Sequence, residues 1–353
     1  LFIFPVVAIA GYQYYKIVKH PDYDANKTLL NYEIIGSEKS KHIILKFIKI
    51  IALIIALVII LPIAVIAGIE YFKVINAPKY NPESMSLNYE IIGSGDKKVI
   101  FIHGLTGSKN YWKNELDAVE KTHQLLLIDL LGFGDSPKPN SDYSLNVQLE
   151  ALEKIIKKEN FNDGQSIIVG HSMGAIITLA MLAKHNTWFD GAVIAGIPVY
   201  KDKNEFREIM SGHAVFDRLA SGKYSTLICM LHPIFMTQSF KPDNLTEAVF
   251  EDAKKHTWQS YANSLNEIVI KPDLYAFANT IKNKKVVLIH GDKDTSAPFE
   301  NAKKLSKSFL NSEFIKVDNG DHQLFLKQPN IIWKALNEFP HSTNKNLIKK
   351  KYK

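Results

Sequence analysis

The chain has 353 residues, 46% of them apolar and 22% charged, which suffices for a large folded core and excludes a disordered or collagen-like chain. Lys and Arg exceed Asp and Glu by 43 to 36, but five of these seven positive charges are lysines in the last twelve residues. The rest is near neutral, so no broad nucleic-acid-binding face is expected. A single cysteine, Cys229, cannot form an internal disulfide.

The stretch LNYEIIGS occurs at residues 30–37 and again at 87–94, and 18 of the 41 positions from 1 to 41 are identical to those from 58 to 98. Two copies do not make a solenoid. With a first residue that is Leu rather than Met, residues 1–49 read as a truncated duplicate with a basic linker, or as two neighbouring reading frames joined, and are expected to contribute nothing to the chemistry.

Residues 50–69 (IIALIIALVIILPIAVIAGI) are twenty consecutive uncharged residues. As a helix with about 1.5 Å rise per residue they would cross a hydrocarbon core of roughly 30 Å. Pro62 is tolerable inside such a helix, and a buried soluble helix would rarely run so long without a polar face. A membrane helix is therefore expected over 50–72. Lys39, Lys41, Lys46 and Lys49 precede it, against Lys73 and Lys79 after it, so its N-terminal flank is expected in the cytoplasm and the following domain outside. The apolar run exceeds the usual length of a cleavable signal core, which favours an uncleaved signal anchor.

Beyond residue 86, apolar runs of strand length recur at 87–92, 98–103, 124–130, 166–171, 191–197, 285–291 and 313–317. The central ones are nearly continuous in Val, Ile and Leu, as in strands buried on both faces. Helical spacing marks 145–158, 175–185 and 329–339. The expected fold is α/β: a mostly parallel sheet covered by helices on both faces. Residues 200–270 lack a buried-strand pattern and carry helix-like pieces, so they are expected to form an inserted helical lid; a separate small domain is the alternative. The core then divides into 81–199 and 271–341, followed by a polybasic tail at 342–353.

Gly170-His171-Ser172-Met173-Gly174 fits G-x-S-x-G between the run SIIVGH and the helix AIITLAMLAKH. A sharp strand-to-helix turn projects a serine hydroxyl from the sheet edge towards a base, and flanking glycines keep the turn free of clashes. Three fixed letters alone are weak, since a helix-capping serine would satisfy them; the strand before and helix after give the motif its weight. A base should follow, with an orienting acid between the two. Among twelve histidines, His322 alone ends a strand-like stretch behind a glycine turn (Gly320-Asp321-His322). His290 also ends a strand but reads as packed, His171 cannot turn back onto its neighbour Ser172, and His103 reads as a ligand for loop backbone groups. There is no H-E-x-x-H and no paired-cysteine spacing, so no metal or other cofactor is expected.

Together with FIHGLTGS (residues 101–108) and DLLGFGDSPKP (129–139), the GHSMG turn resembles the α/β-hydrolase superfamily, particularly its lid-bearing esterase and lipase-like members, over residues 87–339. Ala175 stands where many members have a further glycine. The resemblance implies a fold, a Ser-His-Asp triad and an oxyanion hole formed by the Leu105 and Met173 amides. HGDKDTSAP resembles the superfamily's acid loop, whose final aspartate, Asp294, is the implied orienting acid; Asp292 is the competitor. The expected activity is that of a membrane-anchored serine hydrolase cleaving carboxylic esters, lipid-like acyl esters included, through an acyl-enzyme. The expected partners are a small-molecule or lipid ester and the membrane. Two other readings stand beside it: carbon–carbon bond hydrolysis of β-diketones with the same triad, and a non-enzymatic hydrolase-fold binding protein.

Overall fold

The computed structural model describes residues 38–116, 119–213, 215–238, 241–242 and 245–340. The duplicated segment up to residue 37 and the polybasic tail lie outside the described residues. The chain divides into two compact units, one up to Val65 and one from Ile66 onward.

The first unit holds helix α1 (Glu38–Ile55), a π-helical turn (Ala56–Ile60) and the start of α2 (Leu61–Ile75). The helix thus begins twelve residues before the expected start at 50, because the lysines that recur in this stretch are good helix formers. The π turn ends two residues before Pro62. A proline removes one helical N–H donor and crowds the carbonyl four residues earlier, and a wider turn relieves both. Within this helix Ile44–Ile75 is long and apolar enough to cross a membrane by length and composition. The end of α2 belongs to the second unit, where Val74 is buried and the Tyr71 ring stacks on Trp258 at 5.9 Å.

The second unit is built on seven strands: β1 (Tyr89–Ile92), β2 (Lys97–Ile102), β3 (His123–Ile128), β4 (Ser166–His171), β5 (Phe189–Ala195), β6 (Lys285–Gly291) and β7 (Ser312–Val317). Their order is β1-β3-β2-β4-β5-β6-β7, with β1 antiparallel to β3 and every other pair parallel. All seven apolar runs singled out in the sequence are strands. Alternate residues face opposite layers: Ile100, Leu126, Ile168, Ile194 and Leu288 enter one core, and Phe101, Leu127, Val169, Val193 and Ile289 enter the other.

The first layer is closed by α3 (Leu145–Lys158) and α4 (Met173–Lys184). In the second layer Phe101 packs between Trp112 and Trp333, at ring distances of 5.0 and 5.6 Å. Between β5 and β6 the regular elements among the described residues are all helical: α5 (Lys203–Ser211), α6 (Val215–Ser221), α7 (Ser225–Met230), α8 (His232–Phe235), α9 (Glu247–Ala253), α10 (Trp258–Ser264), a π turn (Leu265–Ile270) and α11 (Leu274–Thr280). This helical run continues ten residues past the expected limit of 270 before β6 begins. The described residues close with α12 (Phe299–Ser306), β7, α13 (Leu324–Lys327) and α14 (Asn330–Asn337).

Candidate active site

Ser172 stands between β4 and α4 with φ 54° and ψ −122°, a backbone conformation that a serine adopts only under strain. Two flanking glycines make the turn possible. A Cβ on Gly174 would collide with the carbonyl of Ile102 on β2, and one on Gly170 would collide with the Gly174 carbonyl and the Thr178 hydroxyl. The turn is closed by Ser172 N–H donating to the Ala195 carbonyl (3.0 Å) and Ala175 N–H donating to the Ser172 carbonyl (2.9 Å).

The structure brings the three residues named from the sequence together across 150 residues of chain. Ser172 Oγ lies 2.9 Å from His322 Nε2, and His322 Nδ1 lies 2.8 Å from Asp294 Oδ2. The other carboxylate oxygen of Asp294 accepts from the Ser296 and Ala297 amides at 2.9 and 2.8 Å, which fixes the plane of the group. Burial by itself would push the Asp294 carboxyl up, but His322 and the backbone amide donor outweigh it and hold it below the usual carboxylate range. Burial likewise opposes protonation of His322, yet the Asp294 charge and hydrogen bond prevail and raise the imidazole above its ordinary value. Asp292, the competing acid, points elsewhere: it pairs with Lys316 at 3.1 Å and accepts from the Asn319 amide at 2.7 Å.

A hydroxyl, an imidazole and a carboxylate in this chain of hydrogen bonds can pass a proton from oxygen to nitrogen while the carboxylate fixes the tautomer. Gly104 backs onto Ser172, since a Cβ there would stand 3.0 Å from the Ser172 Cβ, and Leu105 follows it in the cavity wall. Met173 is the first residue of α4, so its amide has no acceptor within the helix. The α4 N-terminus also favours negative charge at this point.

His103 acts on backbone: its Nε2 accepts from Leu130 N–H at 3.0 Å, so Nδ1 carries the proton given to the Gly104 carbonyl at 2.7 Å. His290 is buried, with Nε2 directed at the Ala297 carbonyl at 2.9 Å. His171 has a part that sequence reasoning missed. Its Nε2 donates to the His322 carbonyl at 2.7 Å, and its ring stacks on Tyr111 at 4.8 Å. Burial first, then the nearby His322, push its imidazole down to about 3, so it stays neutral.

Ser172 and His322 open onto a cavity of about 210 Å³. Its walls come from the loop at Leu105 and from the helical insertion through Phe206, Met210, Val249, Leu265 and Val269. None of the described lining residues is Lys, Arg, Asp or Glu.

A sequence model of the alpha/beta hydrolase fold matches residues 97–329. Among curated relatives, the chain is 26% identical over 256 residues to probable lysophospholipase BODYGUARD 3 of Arabidopsis thaliana, covering 64% of this chain and 51% of that protein. It is 27% identical over 263 residues to probable lysophospholipase BODYGUARD 4 of the same plant, covering 68% and 63%. The chain therefore spans about half to three-fifths of the length of these relatives. Among solved structures, a bromoperoxidase from Bacillus anthracis superposes with a TM-score of 0.59 at 19% identity, covering 74% of this chain and 98% of that one. An esterase from Exiguobacterium antarcticum does so with 0.58 at 18% identity, covering 73% and 96%. With the family pattern spanning most of the chain and the seven-stranded sheet beneath it, the protein belongs to the alpha/beta hydrolase fold family.

Proposed function

We propose that this protein is a membrane-anchored serine hydrolase that cleaves carboxylic esters carrying an apolar acyl chain. The observation that carries the proposal is the unbroken hydrogen-bond chain from Ser172 through His322 to Asp294, held at 2.9 and 2.8 Å. Ser172 attacks the ester carbonyl as His322 takes its proton; Asp294 holds the imidazole and stabilises its charged form. The Leu105 and Met173 amides receive the oxyanion, and His322 then returns its proton to the departing alcohol. In the second half, His322 removes a proton from water as it attacks the acyl-enzyme, and then gives that proton to Ser172 Oγ as the acyl–oxygen bond breaks and the acid leaves.

The cavity supports this substrate class. Its described lining offers apolar walls and no cation to meet a phosphate or carboxylate, while Asp294 adds a buried negative charge beneath the histidine. An uncharged acyl ester suits such walls, and the resemblance to relatives named probable lysophospholipases supports a lipid-like acyl group. The apolar helix supports the anchor, with the lysine-rich flank of α1 on the cytoplasmic side and the hydrolase domain outside.

Carbon–carbon hydrolysis is the second reading, since the same triad serves it; a stretch of 119 residues, 33% of this chain, is 31% identical to a hydrolase of a keto acid, 2-hydroxy-6-oxo-6-(2'-aminophenyl)hexa-2,4-dienoic acid hydrolase of Metapseudomonas resinovorans. A series of nitrophenyl esters of increasing chain length, run beside a β-diketone, tests both. Ester turnover abolished in Ser172→Ala supports the proposal; diketone turnover without ester turnover selects the second reading, and turnover of neither overturns both.

A further inference from the structure

The loop between His103 and Ser108 contains Leu105, whose amide the hydrolase reading assigns to the oxyanion. Thr106 within it has φ 59°, a left-handed conformation unfavourable for a β-branched residue. Strain of this kind persists only where the surrounding structure holds it in place. One end is held by His103, bonded to the Gly104 carbonyl and the Leu130 amide, and Gly107 N–H closes a turn on the Gly104 carbonyl at 3.0 Å.

The other end is held from a distant part of the chain. Ser108 Oγ–H donates to Asp252 Oδ2 at 2.6 Å, across 144 residues, and Asn110 Nδ2 donates to the same oxygen at 2.7 Å. The Ser108 hydroxyl also accepts from Asn110 N–H at 3.2 Å, so both its donor and its acceptor capacity are engaged. Ser108 is fully buried and Asp252 nearly so. Lys255 occupies the remaining Asp252 oxygen at 2.6 Å and bridges to Asp135, also at 2.6 Å. Asp252 sits on α9, and that helix also supplies Val249 and Ala253 to the cavity wall.

We propose that Asp252 is a positioning residue for the oxyanion loop: by holding Ser108 and Asn110 it keeps Thr106 in its left-handed conformation and Leu105 N–H aimed at the reacting carbonyl. The helical insertion is then part of the catalytic apparatus as well as a cover for the acyl chain. This inference rests on the serine hydrolase reading for its kinetic consequence. Its structural half, the tether between α9 and the loop, does not.

The test compares the full chain in detergent with Asp252→Ala, Asp252→Asn, Ser108→Ala and the Asp252→Ala/Ser108→Ala double variant. Loss of aim weakens one oxyanion donor, so kcat on a nitrophenyl butyrate should fall by about tenfold or more, short of the roughly 10²- to 10³-fold cost of removing a donor outright, while KM changes little. The double variant should be no slower than the slower single, because both remove one tether. Asp252→Asn keeps an oxygen for Ser108 and should recover most of the loss. Hydrogen exchange at the amides of residues 105–107 should speed up in Asp252→Ala and Ser108→Ala. If Asp252→Ala fails to fold, Ser108→Ala, which deletes a single oxygen, decides the matter. Unchanged kcat with unchanged exchange overturns the proposal, as does a rise in KM alone. Should the wild-type chain hydrolyse no ester, the function fails separately, and the exchange measurement still decides whether Asp252 holds the loop.

Discussion

His171 Nε2 donates to the backbone carbonyl of His322 at 2.7 Å, so the residue before the proposed nucleophile holds the main chain of the proposed base. His322 lies in a loop between β7 and α13, where the carboxylate of Asp294 alone would fix only one edge of its ring. The imidazole of His171, kept neutral by burial, supplies the second restraint without adding a charge beside the site. His171→Phe keeps the stacking on Tyr111 and removes the donor. The loss leaves the His322 carbonyl without this partner, at a cost of about 1–3 kcal/mol. The expected result is a kcat roughly tenfold lower with fluorophosphonate labelling slowed by a similar factor; an unchanged rate of labelling would show that His322 needs no such support.

The direction of the His322 shift fixes the pH profile. The imidazole accepts a proton from Ser172 only when neutral, and Asp294 raises its protonation point above the ordinary histidine value of about 6.5. Under the proposed mechanism, activity should therefore be low on the acid side and rise as pH passes upward through that raised value. Asp294→Asn removes the charge responsible, so the acid limb should move to lower pH while kcat falls by roughly 10⁴-fold. Asp321 also raises His322, as a later contributor, so Asp321→Asn should move the limb in the same direction by less. A kcat/KM profile between pH 5 and 9 measures all three.

Strain at Ser172 gives a stability prediction of opposite sign to the activity prediction. With φ at 54°, glycine fits the position without the Cβ penalty. Ser172→Gly should abolish turnover and raise the thermal midpoint, by the order of 1 kcal/mol of relieved strain. Gly174→Ala should do the reverse to stability, because its Cβ would meet the Ile102 and His103 carbonyls, which belong to β2 and its exit and cannot step aside. A loss of at least about 1–3 kcal/mol is expected from such overpacking. Thermal or denaturant unfolding of the three chains provides the comparison.

The proposed anchor is open to direct assay. A helix that crosses the bilayer should keep the full chain in the pellet after alkaline carbonate extraction, and the hydrolase domain should be digested by protease added from the non-cytoplasmic side. Release by carbonate would mean that the apolar helix does not span; protection of the domain would reverse the proposed orientation.

Much of this architecture is legible in the sequence because buried parallel strands leave a simple trace. The run KVVLIHG is apolar on both faces and is β6 to the residue. The antiparallel edge is not legible in this way: LNYEII carries no mark of direction, and only its pairing with β3 sets β1 against the rest. Ser172 and His322 were visible because a strand-to-helix glycine turn and a glycine turn after a strand have local signatures. Choosing Asp294 over Asp292 required resemblance, since the two differ by which side of the loop they face, and the structure separates them by pairing one with His322 and the other with Lys316. His171 and Asp252 lay beyond reach for a different reason. Their partners stand 151 and 144 residues away, and a single sequence holds no signal for contacts made only by the folded chain. The start of the long helix was missed because apolar content was its marker, whereas helix formation continues through lysines that favour it equally well.

The measurement that bears most directly on the account is reaction of the full chain in membranes with a fluorophosphonate, wild type beside Ser172→Ala and His322→Ala. An activated hydroxyl forms a covalent phosphonyl ester with loss of fluoride, so the account predicts a labelled wild-type band, no label on Ser172→Ala, and labelling slowed by orders of magnitude in His322→Ala. Equal labelling of the wild type and Ser172→Ala, or none on a folded wild-type chain, would contradict it.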